Sequence, residues 1–582
     1  MHTRCEPQTA ARLLSSGQAI ALAVVLLVAI AECVVVGPLS LLRTAVALVI
    51  VFYVLFVALK LALWWAATGQ DPPDCRPPEA HAPGLPRYTI LVPLCGEAGV
   101  VGRLVDALSG LRYAPEKLEI LLLLEEYDAE TQLAVAAIDL PPEFRVVVVP
   151  DVGPRTKPKA CDFGYTLATG DMVVIYDAED RPEPDQLLRA VSTFESVSAS
   201  DRRVGCLQAR LSFWNARGSW VSSFYWAEYV IHFQTFLMGL ARLGLIPPLG
   251  GTSNHFRFDA LEAVACANGV WEFEGNEGDL VTMWGPWDPY NVTEDADLAF
   301  RLALAGYRVE MLASTTYEEA PDTARKAKNQ RSRWLQGYAQ TGLVHTRHPL
   351  HNMRVVGPLR YLAFILLMLG TPFSLMLNPL MWGTTMVYVA ARSEALPAAS
   401  AFVDRLFPAP VYYAGMMVML VGNALLFYQK LITPLARQQR SELAVGEPSQ
   451  HALGAYLSEQ EYGLAFRLLF TPVWWVFTSV SSYRAVRKLL ARSQRSHWDK
   501  TPHGHAMATE ADIALTHVTA PGREIAEPVA SLRRRDERSH PTPQASAERA
   551  QSGAQGPQTV ADTPSAAWLT AGPPQPPRPR VP

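Results

Sequence analysis

Two apolar runs near the start of the chain, "QAIALAVVLLVAIAECVVVG" at 18–37 and "TAVALVIVFYVLFVALKLALWWA" at 44–66, constrain its fold more than any other feature. Each is about long enough to cross the ~30 Å hydrocarbon core of a bilayer. In the second, Lys60 can snorkel and Trp64 and Trp65 suit the interface. No small-residue cleavage site separates the runs, so they are expected to be spans rather than a removed leader. Further apolar blocks lie at 356–391, 410–432 and 463–483, and the 582 residues are 49% hydrophobic against 18% charged, as in an integral membrane protein. The block 357–391 is too long for one crossing and is expected to be a hairpin turning near Pro372 or Pro379, while 464–483 is a span or an interfacial helix. Lys430, Arg437 and Arg440 compete with Arg484, Arg487 and Lys488 for the inner side. Six crossings with the tail inside is the topology we favour.

A net charge of −4 leaves no large basic face, so no nucleic-acid partner is expected. Seven cysteines form no C-x-x-C pair and no Cys/His ligand cluster, which argues against structural zinc and a disulfide framework and for a reducing compartment.

Composition divides the chain further. Residues 1–67 form an N-terminal membrane region and 68–86, rich in proline, a linker. Residues 87–350 contain no membrane-length run and have the size of one soluble domain. Residues 351–484 are a second membrane region, and 485–582 a tail with too few large apolar residues to fold. Within 87–350, "YTILVPL", "LEILLLL" and "FRVVVVP" read as strands separated by helical stretches at 100–111 and 129–138. Near-continuous apolar strands alternating with amphipathic helices predict an α/β fold whose mainly parallel sheet is covered on both faces. Ligands collect at the carboxyl ends of such strands.

Acids gather at those ends. "DMVVIYDAEDRPEPD" carries Asp177, Glu179 and Asp180 just past an apolar strand, and Glu125, Glu126 and Asp128 follow another. Two acidic edges on one rim suit a nucleotide and a divalent ion, with a solvated loop opening a helix as the lesser alternative for the first. "NVTEDADLAF" begins a helix that Thr293 can cap, with Glu294, Asp295 and Asp297 in its first turn; a favourable helix dipole needs no catalysis to explain them. In "QRSRWLQGY", Gln330, Arg333 and Trp334 share a helix face, offering an amide, a guanidinium and an indole, while a lipid-facing basic helix is the simpler alternative. Lys157 and Lys159 precede the acidic strand and either can meet a phosphate. "GGTSNHFRF" at 250–258 is a candidate binding loop or only a turn before a strand.

The order of these elements resembles family 2 glycosyltransferases, and among them the cellulose-synthase-like membrane enzymes, over about residues 87–345. Q-x-x-R-W is met by Gln330, Arg333 and Trp334, and T-E-D by Thr293, Glu294 and Asp295. The family's D-x-D departs to Asp177-Ala178-Glu179, and its paired nucleobase aspartates to Glu125-Glu126-Tyr127-Asp128. The stretch 267–286, with "WEFEGNEGD", looks inserted and is expected to shape the acceptor site or to be a lid or an ornament.

The resemblance implies a GT-A-like domain that transfers sugar with inversion from a nucleotide diphosphate sugar, UDP-linked. Asp295, with Glu294, is the expected catalytic pair, Asp295 being the general base. Glu126 or Asp128, with Lys157, Asp177, Gln330 and Arg333, would bind the donor, and Asp177 and Glu179 would hold Mg2+ or Mn2+. Trp334, Thr252, Ser253, Asn254 and His255 would contact the acceptor. The expected product is an exported β-linked polysaccharide. Single-sugar transfer to a lipid, or an inactive sugar-binding membrane protein, are the alternatives. The bilayer, a nucleotide sugar and a glycan or lipid are the expected partners, at the inner membrane with the catalytic domain cytoplasmic.

Overall fold

The computed structural model describes residues 8–69, 71–200, 203–274, 280–392, 401 and 466–491. The expected span at 410–432 and the tail beyond residue 491 lie outside them, while residues 485–490 belong to the last described helix. Two helices come first, α1 (Ser16–Val35) and α2 (Pro38–Ala67). A capping box at Ser15 and Gln18 opens α1, and Gly37, with φ 113°, breaks the backbone before Pro38. With α13 below, these are the described helices long and apolar enough to cross a membrane. α1 presents Leu27 and Val35 outward, at 64% and 81% exposure, which suits lipid and not water.

The domain that follows runs β1 (Tyr88–Leu94), α3 (Val101–Ser109), β2 (Leu118–Glu125), α4 (Ala129–Ala136), β3 (Phe144–Val149), α5 (Lys157–Leu167) and β4 (Met172–Ile175). It continues with β5 (Arg181–Pro182), α6 (Gln186–Ser200), β6 (Val204–Phe213), α7 (Trp220–Ile231), a π-turn (His232–Phe236) and α8 (Leu237–Arg242). Then come β7 (Asn254–Arg257), α9 (Phe258–Asn268), β8 (Val270–Glu274), β9 (Leu280–Trp284), α10 (Glu294–Leu304), β10 (Arg308–Glu318), α11 (Ala324–His345) and α12 (Pro349–Val356). The last described helices are α13 (Pro358–Arg392) and α14 (Thr471–Leu490).

Eight strands form one sheet in the order β3-β2-β1-β4-β7-β6-β10-β5. β1 pairs in parallel with β2 and β4, β2 with β3, and β6 with β10, while β7 runs antiparallel between β4 and β6. Alternate residues bury on opposite faces. Leu91, Leu121, Leu123, Val173 and Ile175 pack with α5, α9 and α10. Ile90, Val92, Ile120, Leu122 and Val174 pack with α3 and α6. Both faces are therefore covered, as the apolar strands require.

Two expectations are corrected. Residues 358–392 are one unbroken helix with Pro372 and Pro379 inside it, not a hairpin. Neighbours supply donors to carbonyls around the prolines: Ser482 to Pro372 O (2.9 Å), Tyr53 to Ser374 O (3.1 Å) and Tyr483 to Met376 O (2.6 Å). The stretch at 270–284 is a β8–β9 hairpin rather than an irregular loop. Trp271, Phe273 and Met283 pack on Val152 and Phe163 of the domain, and no described residue of the hairpin lines the cavity discussed below.

Membrane and domain helices interlock. A Cβ at Gly239 of α8 would strike the Leu63 carbonyl of α2. Tyr361, Phe364 and Met368 of α13 enter the core beneath α10. α14, carrying Arg484, Arg487 and Lys488, packs on α11 and α13 and falls short of a spanning helix among the described residues.

Candidate active site

A cavity of about 400 Å³ lies at the carboxyl end of β4 and under α10 and α11. The chain turns sharply after Ile175, and three acids emerge together. Asp177 pairs with Lys157, the first residue of α5, and Lys157 also donates to Gly251 O at 2.7 Å. Asp180 accepts from the Asp177 backbone N–H at 2.8 Å and from Thr252, while its Oδ1 is buried without a partner. Asp295 Oδ2 lies 3.6 Å, and Lys157 Nζ 4.0 Å, from the point where Gly251 would carry a Cβ. Residues from four separate stretches thus converge around one lysine and one glycine.

Electrostatics follow from burial. Glu294 is pushed up to about 8 by desolvation and by Asp295, and desolvation lifts Asp295 to about 6 although the Ala296 N–H, Lys157 and Arg333 pull it down. Glu179 rises to about 7 by burial and the Asp177 charge. Burial and the neighbouring acids Asp180, Glu179 and Asp177 also raise Glu318, at the end of β10. Burial draws Lys157 down, but Asp177 and Glu294 more than offset it, and the ammonium is held.

Gln330, Arg333 and Trp334 line the same cavity from α11. Gln330 Oε1 is buried and unpartnered. Trp334 rests against Tyr225 and Tyr229, each ring centroid 5.9 Å away. α11 approaches α10 closely because Gly337 leaves room: a Cβ there would run into Thr293. Thr293 does not cap α10 with its side chain; its hydroxyl contacts Asn291 Oδ1 (3.5 Å) and Thr341 Oγ1 (3.3 Å), so the anticipated cap is corrected.

Other candidates sit elsewhere. Glu126 accepts from the Asp151 N–H at 2.8 Å, and Asp128 caps α4 and pins the Gly96 N–H; both are on the rim beyond β2 and neither lines the cavity. Beside them Arg155 lies 4.2 Å above the Tyr127 ring, held in two bonds of 2.7 and 2.6 Å by Asp151. Lys159 is fully buried and paired with Glu125 at 2.9 Å, a structural role. In the 250–258 turn only Gly250, Gly251 and Thr252 reach the cavity. Ser253, in the left-handed region at φ 58°, bonds Thr316 at 2.7 Å, Asn254 donates to Gly250 O, and His255 bridges Tyr88 and Gln186 at 2.7 and 3.2 Å. Ser253, Asn254 and His255 thus do not line the cavity: Ser253 and His255 bond within the domain core, and Asn254 Oδ1 is buried without a partner.

Sequence reasoning missed Glu318, Glu228, His232 and Arg331, all of which line the cavity. Glu318 ends a strand, a signal available in principle. The other three come from α7, the π-turn and the helix that carries Q-x-x-R-W, where no motif marks them.

The sheet order and the acid-lined strand ends are those of a GT-A-like glycosyltransferase fold. Residues 172–428 match the family described as glycosyl transferase family group 2. The chain is 24% identical over 290 residues to a probable glycosyltransferase of Bacillus subtilis, covering 48% of this chain and 62% of that one. It is 26% identical over 257 residues to a beta-monoglucosyldiacylglycerol synthase of Trichormus variabilis (44% and 49%). It is 29% identical over 186 residues to a probable glucomannan 4-beta-mannosyltransferase of Arabidopsis thaliana (32% and 29%). The match thus spans about half the length of the first two relatives.

Proposed function

We propose that residues 87–350 form a catalytic domain that transfers a sugar, with inversion, from a nucleotide diphosphate sugar, UDP-linked, to an acceptor hydroxyl. The observation that carries this reading is the convergence of Asp177, Lys157, Gly251 and Asp295 in one cavity with Gln330, Arg333 and Trp334. Asp295 is the carboxylate of its pair that is ionised at neutral pH, so it takes the acceptor proton as the acceptor oxygen bonds the anomeric carbon. The bond from that carbon to the diphosphate breaks on the opposite face, and the nucleoside diphosphate leaves. Arg333 and Gln330 offer donors to its oxygens, and Lys157 a fixed positive charge.

The site fits a divalent ion. Its donors are all carboxylates, Asp180 holds an orphaned buried oxygen, and Asp177 with Glu179 stands where the ion would bind. Among the described residues no three His, Cys, Asp or Glu side chains form a metal cage, so Mg2+ or Mn2+ would need further ligands from the substrate's phosphate oxygens. When bound, the ion would neutralise charge on the leaving diphosphate.

A glycan acceptor, and with it a growing β-linked chain, is supported by the glucomannan-synthase relative, and a lipid acceptor by the glycolipid-synthase relative. An inner-membrane site with the domain cytoplasmic is supported by the apolar helices and by six cysteines that form no disulfide among the described residues. Incorporation of labelled sugar by the purified protein tests the reading. Asp295→Asn should abolish transfer and keep nucleotide binding, and a strong chelator should stop turnover. Normal transfer by the variant would remove Asp295 from this role, and indifference to the chelator would remove the cation.

A further inference from the structure

Charge is distributed unevenly after the acids of the cavity. From Thr323 to Arg392 the sequence holds no Asp or Glu, while Arg354 and Arg360 flank the junction of α12 and α13. The stretch of α13 long and apolar enough to cross a bilayer begins at Pro358, immediately after that junction. Where α13 crosses, the junction lies at the depth at which hydrocarbon gives way to headgroups.

α12 has two unlike sides. Asn352 and Val356 are buried against the domain. Leu350 with Arg354, and His351 with Val355, are spaced one helical turn apart and form adjacent rows on the exposed side. Gly357, with φ 93°, turns the backbone into α13, whose first turn exposes Leu359 and Arg360. Leu350 and Leu359 are 65% and 71% exposed, apolar surface that calls for a cover. Among the described residues neither Arg354 nor Arg360 is in an ion pair.

Leucines able to enter a lipid surface, interleaved with cations at headgroup depth, are what an interfacial helix presents to anionic lipid. A neutral bilayer would cover the leucines and leave both guanidiniums unmatched. A soluble partner fits less well, because the corner is the root of a spanning-length helix.

The buried side of the same corner leads to the helix that carries Asp295. Asn352 Nδ2 donates to His345 O at 2.8 Å, and Tyr361 Oη donates to that oxygen at 3.3 Å. His345 Nε2 lies 2.7 Å from Asp297 Oδ1, and its ring centroid is 4.2 Å from that of Phe300. Asp297 and Phe300 both belong to α10.

We propose that the corner between α12 and α13 is a docking surface for anionic phospholipid headgroups of the bilayer, contacted by Arg354 and Arg360, and that lipid held there steadies α10 through Asn352 and His345. The inference goes beyond the proposed transfer reaction and is tested without it.

Native mass spectrometry of the full chain in mild detergent should retain dioleoylphosphatidylglycerol at least about tenfold better than dioleoylphosphatidylcholine, since each arginine at an anionic surface is worth about fivefold. Arg354→Gln with Arg360→Gln should abolish the preference, and Arg354→Lys with Arg360→Lys should keep it. Both positions are exposed, so the glutamine variant should unfold at the same temperature as the parent in detergent. Inorganic phosphate should fail to displace the lipid. In nanodiscs, amide exchange in α10 should be slower with phosphatidylglycerol present than in phosphatidylcholine alone, and the glutamine variant should lose that difference. Equal retention of the two lipids, displacement by phosphate, or a preference that survives loss of both arginines would overturn the docking surface. Exchange in α10 that ignores lipid charge while the preference stands would overturn the link to α10.

Discussion

Asp295 and Asp297 are two residues apart on α10 and face opposite fates. Burial raises Asp295, so transfer should increase as pH rises through about 6, where the base loses its proton. A turnover profile flat from about pH 5 to 8 would contradict that assignment. Burial acts on Asp297 too, but Arg301 at 2.5 Å and His345 at 2.7 Å outweigh it and hold the carboxyl below its ordinary range. A depressed carboxyl stabilises the fold above its unfolded value, and that contribution disappears as pH falls through the folded one. Asp297→Asn leaves buried Arg301 with Asp288 alone, 3.8 Å away, and should cost at most about 3–5 kcal/mol, read as a lower Tm at pH 7 whose deficit shrinks in acid. From the sequence these acids are a single cluster in the first turn of a helix. Only tertiary partners separate them, Arg301 and His345 at Asp297 against Lys157 and Arg333 at Asp295.

At the scale of elements, the meeting of α10 with α11 depends on Gly337 lying against Thr293. Gly337→Ala should push the helices apart by roughly an ångström, reduce kcat at least tenfold and lower stability by about 1–3 kcal/mol; unchanged kcat would show that their spacing is not critical. Strands β1 to β4 were legible because apolar runs of four to eight residues can hardly bury any other way. β7 was not. His255 looks like site polarity, yet a strand between two others buries a ring it can satisfy internally, here by Tyr88 and Gln186. The prolines of α13 misled because a long helix packed among others keeps its course past them, with neighbours donating to nearby carbonyls.

Across the whole molecule, the stretch before α1 is strapped onto the domain. Thr9 Oγ1 and the Ala10 N–H donate to Asp288 at 2.8 and 2.6 Å, Arg301 donates to Gln8 O at 2.6 Å, and Arg347 to Thr9 O and Arg12 O at 2.9 and 2.5 Å. Removal of residues 1–12 should lower Tm by several degrees, the size expected on stripping buried Asp288 of two donors. An unaltered Tm would make the strap incidental. Such contacts join segments nearly 280 residues apart, and no local pattern announces them. At Gly239 the backbones of α2 and α8 meet with no side chain between them, so the apolar helix and the cavity wall that Leu237 and Leu240 form are joined without slack. If α2 spans a bilayer, lipids whose thickness tilts it would press directly on that wall.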